Sequence, residues 1–115
     1  MAFKIKKVGF QEGVYDVRIV EVELKYFDDG KEAIRIKVEN HKKETHNFLI
    51  FTTNYILIES LLNLAYDSWD EDEEFNEQDL VNIEMRIETI RNGSYLNIIN
   101  IHPIENIQDY EEFEF

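Results

Sequence analysis

Hydrophobic and polar positions alternate along most of this chain, and the breaks in that alternation carry as much information as the runs. Residues 14–26 read VYDVRIVEVELKY. Tyr15, Val17 and Ile19 keep one phase, and Val20, Val22, Leu24 and Tyr26 keep the opposite one. Successive strand residues point to opposite faces, so a change of phase predicts a bulge or sharp bend. Asp28-Asp29-Gly30-Lys31 is a hairpin turn signal. Residues 32–40 predict the next strand, with Ile34, Ile36 and Val38 on one face and Ala33, Arg35, Lys37 and Glu39 on the other. His41 to His46 is a polar, basic loop, and Asn47 to Thr52 is a short apolar strand.

The period then changes. Asn54 can cap a helix through its side-chain oxygen. Ile58, Leu61, Leu62 and Ala65 follow at helical spacing, which predicts a helix over 55–66. An acidic stretch around Trp69 and Phe75 comes next. Residues 80–90 predict a fourth strand with Val81, Ile83, Met85 and Ile87 inward. Asn92-Gly93 is the strongest short hairpin signal in the chain, leading to a last strand over 95–102 that Pro103 ends.

The order β-β-β-α-β-β, with a long bent first strand, predicts a mainly β, five-stranded OB-type barrel with one helix between strands 3 and 4. The runner-up is another small α+β sheet with one helix across it. Residues 1–104 make the domain, and residues 105–115 make an acidic C-terminal tail expected to be disordered.

Charge refines this picture. The net charge of −13 divides unevenly. Residues 67–79 hold eight acids and no base, residues 105–115 hold five acids and no base, and the remainder holds 12 of each sign. Electrostatic fields are screened over roughly 8–10 Å, so a neutral body can still carry a local anion-binding surface. The absence of cysteine excludes disulfides and thiolate metal sites and suits a reducing compartment. The opening MAFKIKKVG is too short and charged for a secretory signal, and no apolar run has membrane-spanning length. A cytoplasmic, soluble protein without membrane attachment is expected.

Catalytic patterns are absent, and no enzyme is expected. His41, His46 and His102 lack metal-ligand spacing, and the acidic stretch lacks the glycine and alternation of a calcium loop. No metal and no cofactor are expected. What remains is a binding surface. Single strands are held by stacking bases on aromatic rings and by a track of Lys and Arg. In an OB-fold these groups lie on strands two and three and on the loops joining strands 1–2 and 4–5. That region holds Tyr26, Phe27, Lys31, Arg35, Lys37, Lys42, Lys43, Phe48, Arg91 and Tyr95 as candidate nucleic-acid contacts. Each also has an ordinary role. Phe48 and Phe51 lie on opposite faces and can both be buried, and Arg35 and Lys37 can form a solvated face diluted by Glu39.

The chain ends DYEEFEF, with Tyr110, Phe113 and Phe115 among acids. A terminal Phe joins an apolar anchor to a carboxylate, a compact handle for a partner's basic-rimmed pocket. An OB-type layout with such a tail resembles phage-type single-stranded DNA-binding proteins, as does the opening strand Gly13-Val14-Tyr15-Asp16-Val17. Phe115 matches the terminal aromatic, and the proline that precedes it in bacterial members is missing. The resemblance implies non-catalytic coating and protection of single-stranded DNA in replication or recombination. It also implies recruitment of replication or recombination proteins through the tail. For phage origin the compartment is the host cytoplasm. A homo-oligomer is compatible with it. The alternative is an acidic DNA mimic or inhibitor that binds a nucleic-acid enzyme, which the run 67–79 motivates.

Overall fold

A computed structural model describes residues 9–104. β1 spans Gly13–Tyr26, β2 Glu32–Glu39, β3 Thr45–Phe51, α1 Tyr55–Ala65, β4 Glu84–Asn92 and β5 Tyr95–His102, with a short 3-10 helix, Glu77–Leu80, before β4. The strands form one five-stranded antiparallel sheet in the order β3-β2-β1-β4-β5. The edge strands β3 and β5 approach one another but share no hydrogen-bonded ladder.

β1 is long because it serves both halves of the sheet. Its first half pairs with β4 from Gly13↔Thr89 to Arg18↔Glu84, and its second half pairs with β2 out to Tyr26↔Glu32. The change of phase read from the sequence is a bulge. Ile19 pairs with Val38 and Glu21 with Lys37, leaving Val20 as the extra residue. Val17, Ile19 and Val22 therefore all reach the core although their spacing is not uniform. β5 carries a second irregularity that the sequence pattern did not announce. Glu88 pairs with Asn100 and Thr89 with Ile98, so Ile99 is squeezed outward and Leu96, Ile98 and Ile101 all face in.

The core lies inside the curve of the sheet. Ile19, Ile36, Val38, Met85 and Ile87 are fully buried, and Leu57 and Leu61 of α1 join them. Asn54 caps α1 as expected, accepting from Leu57 N–H at 3.4 Å. Leu57 replaces Ile58 as the deepest residue of the first turn, and Ile58 is half-buried. Phe10 packs on Tyr15, His46 and Phe48, with ring centroids 5.1, 5.8 and 6.1 Å away. Thr89 pins the approach to β1: its hydroxyl donates to the Gln11 carbonyl at 2.9 Å and accepts from Gly13 N–H at 3.1 Å.

The fourth strand is shorter than the alternation over 80–90 suggested. Leu80 is buried at the end of the 3-10 helix, and Asn82 takes a left-handed φ of 74°. This turn breaks the run before β4 begins. Asn82 and Ile83 instead exchange backbone hydrogen bonds with Ile19 at 2.7 and 2.9 Å. The strand-three boundary also moves. Thr45 and His46 belong to β3, because Asn40 closes the preceding loop by accepting from the backbone N–H groups of Lys42 and Glu44.

Candidate nucleic-acid interface

Antiparallel partners share a face, so the register shows what the sheet presents outward over β1, β2 and β3. Three cross-strand rows result: Glu21–Lys37–Asn47, Glu23–Arg35–Leu49 and Lys25–Ala33–Phe51. The charged members of these rows form an unbroken alternating chain. Lys25 lies 3.0 Å from Glu23, Glu23 lies 2.8 Å from Arg35, Arg35 lies 3.4 Å from Glu21, and Glu21 lies 4.0 Å from Lys37. Arg35 is the centre. Its Nε and Nη2 donate to Glu23, its Nη2 also reaches Glu21, and its Nη1 donates to Asn47 Oδ1 at 2.6 Å. Only 18% of its side chain is exposed.

The electrostatics follow from this geometry. Hydrogen bonds from Lys25 and then Arg35 hold the Glu23 carboxyl below the usual carboxylate range. The hydrogen bond to Glu23 pushes the Arg35 guanidinium up in turn. The face is therefore compensated rather than strongly basic, with three cations set against two carboxylates.

Beside the charges runs an apolar ridge. Leu49 and Phe51 of β3 are exposed, and Phe27, in the β1–β2 turn, lies with its ring centroid 5.8 Å from that of Phe51. Ala33 is completely buried in the same outer row as Phe51. The turn that carries Phe27 is closed by Gly30, whose φ of 87° suits glycine and whose N–H donates to the Phe27 carbonyl. The pairing of Phe27 with Phe51 thus comes from one hairpin and the neighbouring edge strand.

Eight of the ten candidate contacts singled out in the sequence fall into three groups, and Tyr26 and Phe48 stand apart. Phe27, Arg35 and Lys37 share the outer face, with Lys31 in the adjoining turn, where it lies 3.6 Å from Asp29. Lys42 and Lys43 occupy the loop at the far end of β2, where Lys43 lies 3.5 Å from Glu39. Arg91 and Tyr95 belong to the β4–β5 hairpin, whose tight turn is Gly93-Ser94. Tyr26 is exposed but extends the inward-pointing phase of β1 beyond the core, one residue out of step with Phe27.

Phe48 requires correction as a stacking candidate. It is 2% exposed, in the core between His46 and Phe10, so no base can lie against it. Phe51, 38% exposed, takes the outward position. The phase of β3 is what decides between them, and a short apolar strand does not reveal its own phase. Glu21, Glu23 and Asn47 also belong to this surface and were not singled out. Their alternation with Val22 and Leu24 marked Glu21 and Glu23 as outward, but only the pairing with β2 places them on Arg35.

The tail residues Tyr110, Phe113 and Phe115 lie outside the described residues. Among the described residues no three His, Asp or Glu side chains are grouped to hold a metal ion. None of the described helices is long and apolar enough to cross a membrane. Neither a protein-family model nor a curated protein matches this chain.

Proposed function

We propose that this chain is a non-catalytic single-stranded DNA-binding protein built as an OB-type barrel, with the outer surface of β1, β2 and β3 as its ligand face. The observation that carries this reading is the exposed Phe27–Phe51 ring pair beside Lys25, Arg35 and Lys37. Aromatic faces give bases a place to stack, worth about 1–3 kcal/mol per base, and neighbouring cations follow the backbone. The strand order and the helix between β3 and β4 fit an OB layout, in which this face and the β1–β2 loop meet the ligand. Coating of single strands in replication or recombination is the corresponding role, in the cytoplasm. Tyr110, Phe113 and Phe115 would serve as the recruiting tail.

A second reading, an acidic DNA mimic that binds a nucleic-acid enzyme, is favoured by the exposed acids Asp70 to Glu74 after α1. One experiment separates the two. Labelled oligo(dT) is incubated with the full chain and with a chain lacking residues 105–115, at low and moderate salt. The DNA-binding reading expects retardation of single strands, weakened by salt and by Phe51→Ala or Lys37→Glu. No retardation by either chain at micromolar protein would exclude it and leave the mimic.

A further inference from the structure

The charge chain on the proposed ligand face contains a feature that a simple phosphate track would not have. Its most enclosed cation, Arg35, has all three guanidinium nitrogens engaged within the protein, by Glu23, Glu21 and Asn47. The two carboxylates are about half exposed, at 55% for Glu21 and 48% for Glu23, so an incoming anion meets them before it meets Arg35. Lys25 and Lys37 flank the same two carboxylates at 3.0 and 4.0 Å. A phosphate settling here must displace a carboxylate and sit beside it.

The apolar ridge is different. Leu49 and Phe51 are the β3 members of the rows whose β2 members are Arg35 and Ala33, and Phe27 leans on Phe51. Nothing anionic stands in those two outer rows on β3. Ligands that present base faces can use this strip, whereas ligands that present phosphates meet Glu21 and Glu23. A duplex hides its bases and carries one charge per ~1.7 Å of axis, whereas a single strand can turn its bases outward.

We propose that Glu21 and Glu23 are specificity-determining residues of this face: they clamp Arg35 and keep phosphate off it, leaving Lys25 and Lys37 to follow a single strand whose bases enter at Phe27 and Phe51, while duplexes are refused. This rests on the DNA-binding reading, but the clamp itself can be tested apart from DNA.

The test uses the full-length protein and the double variant Glu21→Gln/Glu23→Gln, which keeps side-chain shape and a carbonyl acceptor for Arg35. Fluorescence anisotropy is measured with labelled oligo(dT) and with a labelled duplex of the same length across a salt series. Relieving like-charge contacts should raise duplex affinity by roughly tenfold or more and single-strand affinity by less, with a steeper salt dependence. In parallel, the Arg35 Nε–Hε resonance is followed by NMR during titration with inorganic phosphate. It should stay put in the parent protein and shift in the double variant. An absent duplex gain, or an equal gain for both ligands, overturns the role in discrimination. An Arg35 resonance that behaves alike in both proteins overturns the clamp. If neither protein binds either DNA, the DNA-binding reading fails and discrimination falls with it, while the phosphate titration still decides the clamp.

Discussion

The outer surfaces on the two sides of β1 use similar residues and are organised differently. Towards β4, the outward residues Val14, Asp16 and Arg18 stand opposite Glu88, Arg86 and Glu84. Arg86 grips Asp16 with two bonds of 2.7 and 3.1 Å, Arg18 donates to Asn82 and reaches Glu39 of β2 at 3.4 Å, and Glu88 accepts from Asn100. Towards β2, charges join into one chain centred on Arg35, and an aromatic pair stands beside it. Alternating charge along a strand therefore does not show which charged side chains on the same face will join into one network. The register against the neighbouring strand makes the difference, and here the bulge at Val20 sets it.

The largest test of this comparison is a shift of the strand beyond that bulge. Inserting one alanine between Glu21 and Val22 would move the second half of β1 by one position, turning Val22 and Leu24 outward and Glu23 and Lys25 inward. Loss of cooperative folding is the expected result, read by circular dichroism and urea denaturation. An insertion variant of unchanged stability would mean that the second half of β1 is not held in one register. Next come two phenylalanines three positions apart on β3. Phe48→Ala removes a core ring and should cost about 3–5 kcal/mol of stability. Phe51→Ala should cost less than about 1.5 kcal/mol while weakening single-strand binding by about 1–3 kcal/mol. Equal stability losses would contradict the assignment of inner and outer faces.

Smaller effects distinguish the two sides by pH. The Arg86 hydrogen bond to Asp16 holds that carboxyl below its ordinary 3.8, against the opposing effect of burial. A depressed carboxyl stabilises the fold above its unfolded pKa and loses that contribution as pH falls through the folded value. Asp16→Asn should therefore cost about 1 kcal/mol or less near neutrality, and the difference from the parent should vanish in strong acid. The last and smallest effect concerns His46, half-buried between Phe10 and Phe48. Burial lowers its pKa from 6.5, and the Arg91 charge adds to the shift. The unfolded chain then binds the proton more readily, so stability should decline as pH drops below 6.5 towards the folded value. His46→Phe should flatten that decline in denaturation curves taken between neutral pH and the carboxylate range.

Local chemistry was enough to read much of this architecture. Strict alternation defined β2, the phase change located the bulge in β1, and glycine-bearing turns marked both hairpins, because each depends on neighbours within a few residues. Asn54 and the helical spacing behind it defined α1 for the same reason. The decisions that sequence alone left open all involve distant pairing. Leu80 buries itself and Asn82 turns left-handed, so β4 starts at Glu84 although the alternation begins earlier. Ile99 bulges out of β5 because β4 dictates which of its neighbours face in. On β3, a continuous apolar run could present either ring, and pairing with β2 sends Phe48 into the core and Phe51 to the surface. The same pairing places Glu21 and Glu23 on Arg35. Periodicity thus determined which residues could be outward, while tertiary register decided which outward residues meet, since cross-strand contact joins positions that are remote along the chain.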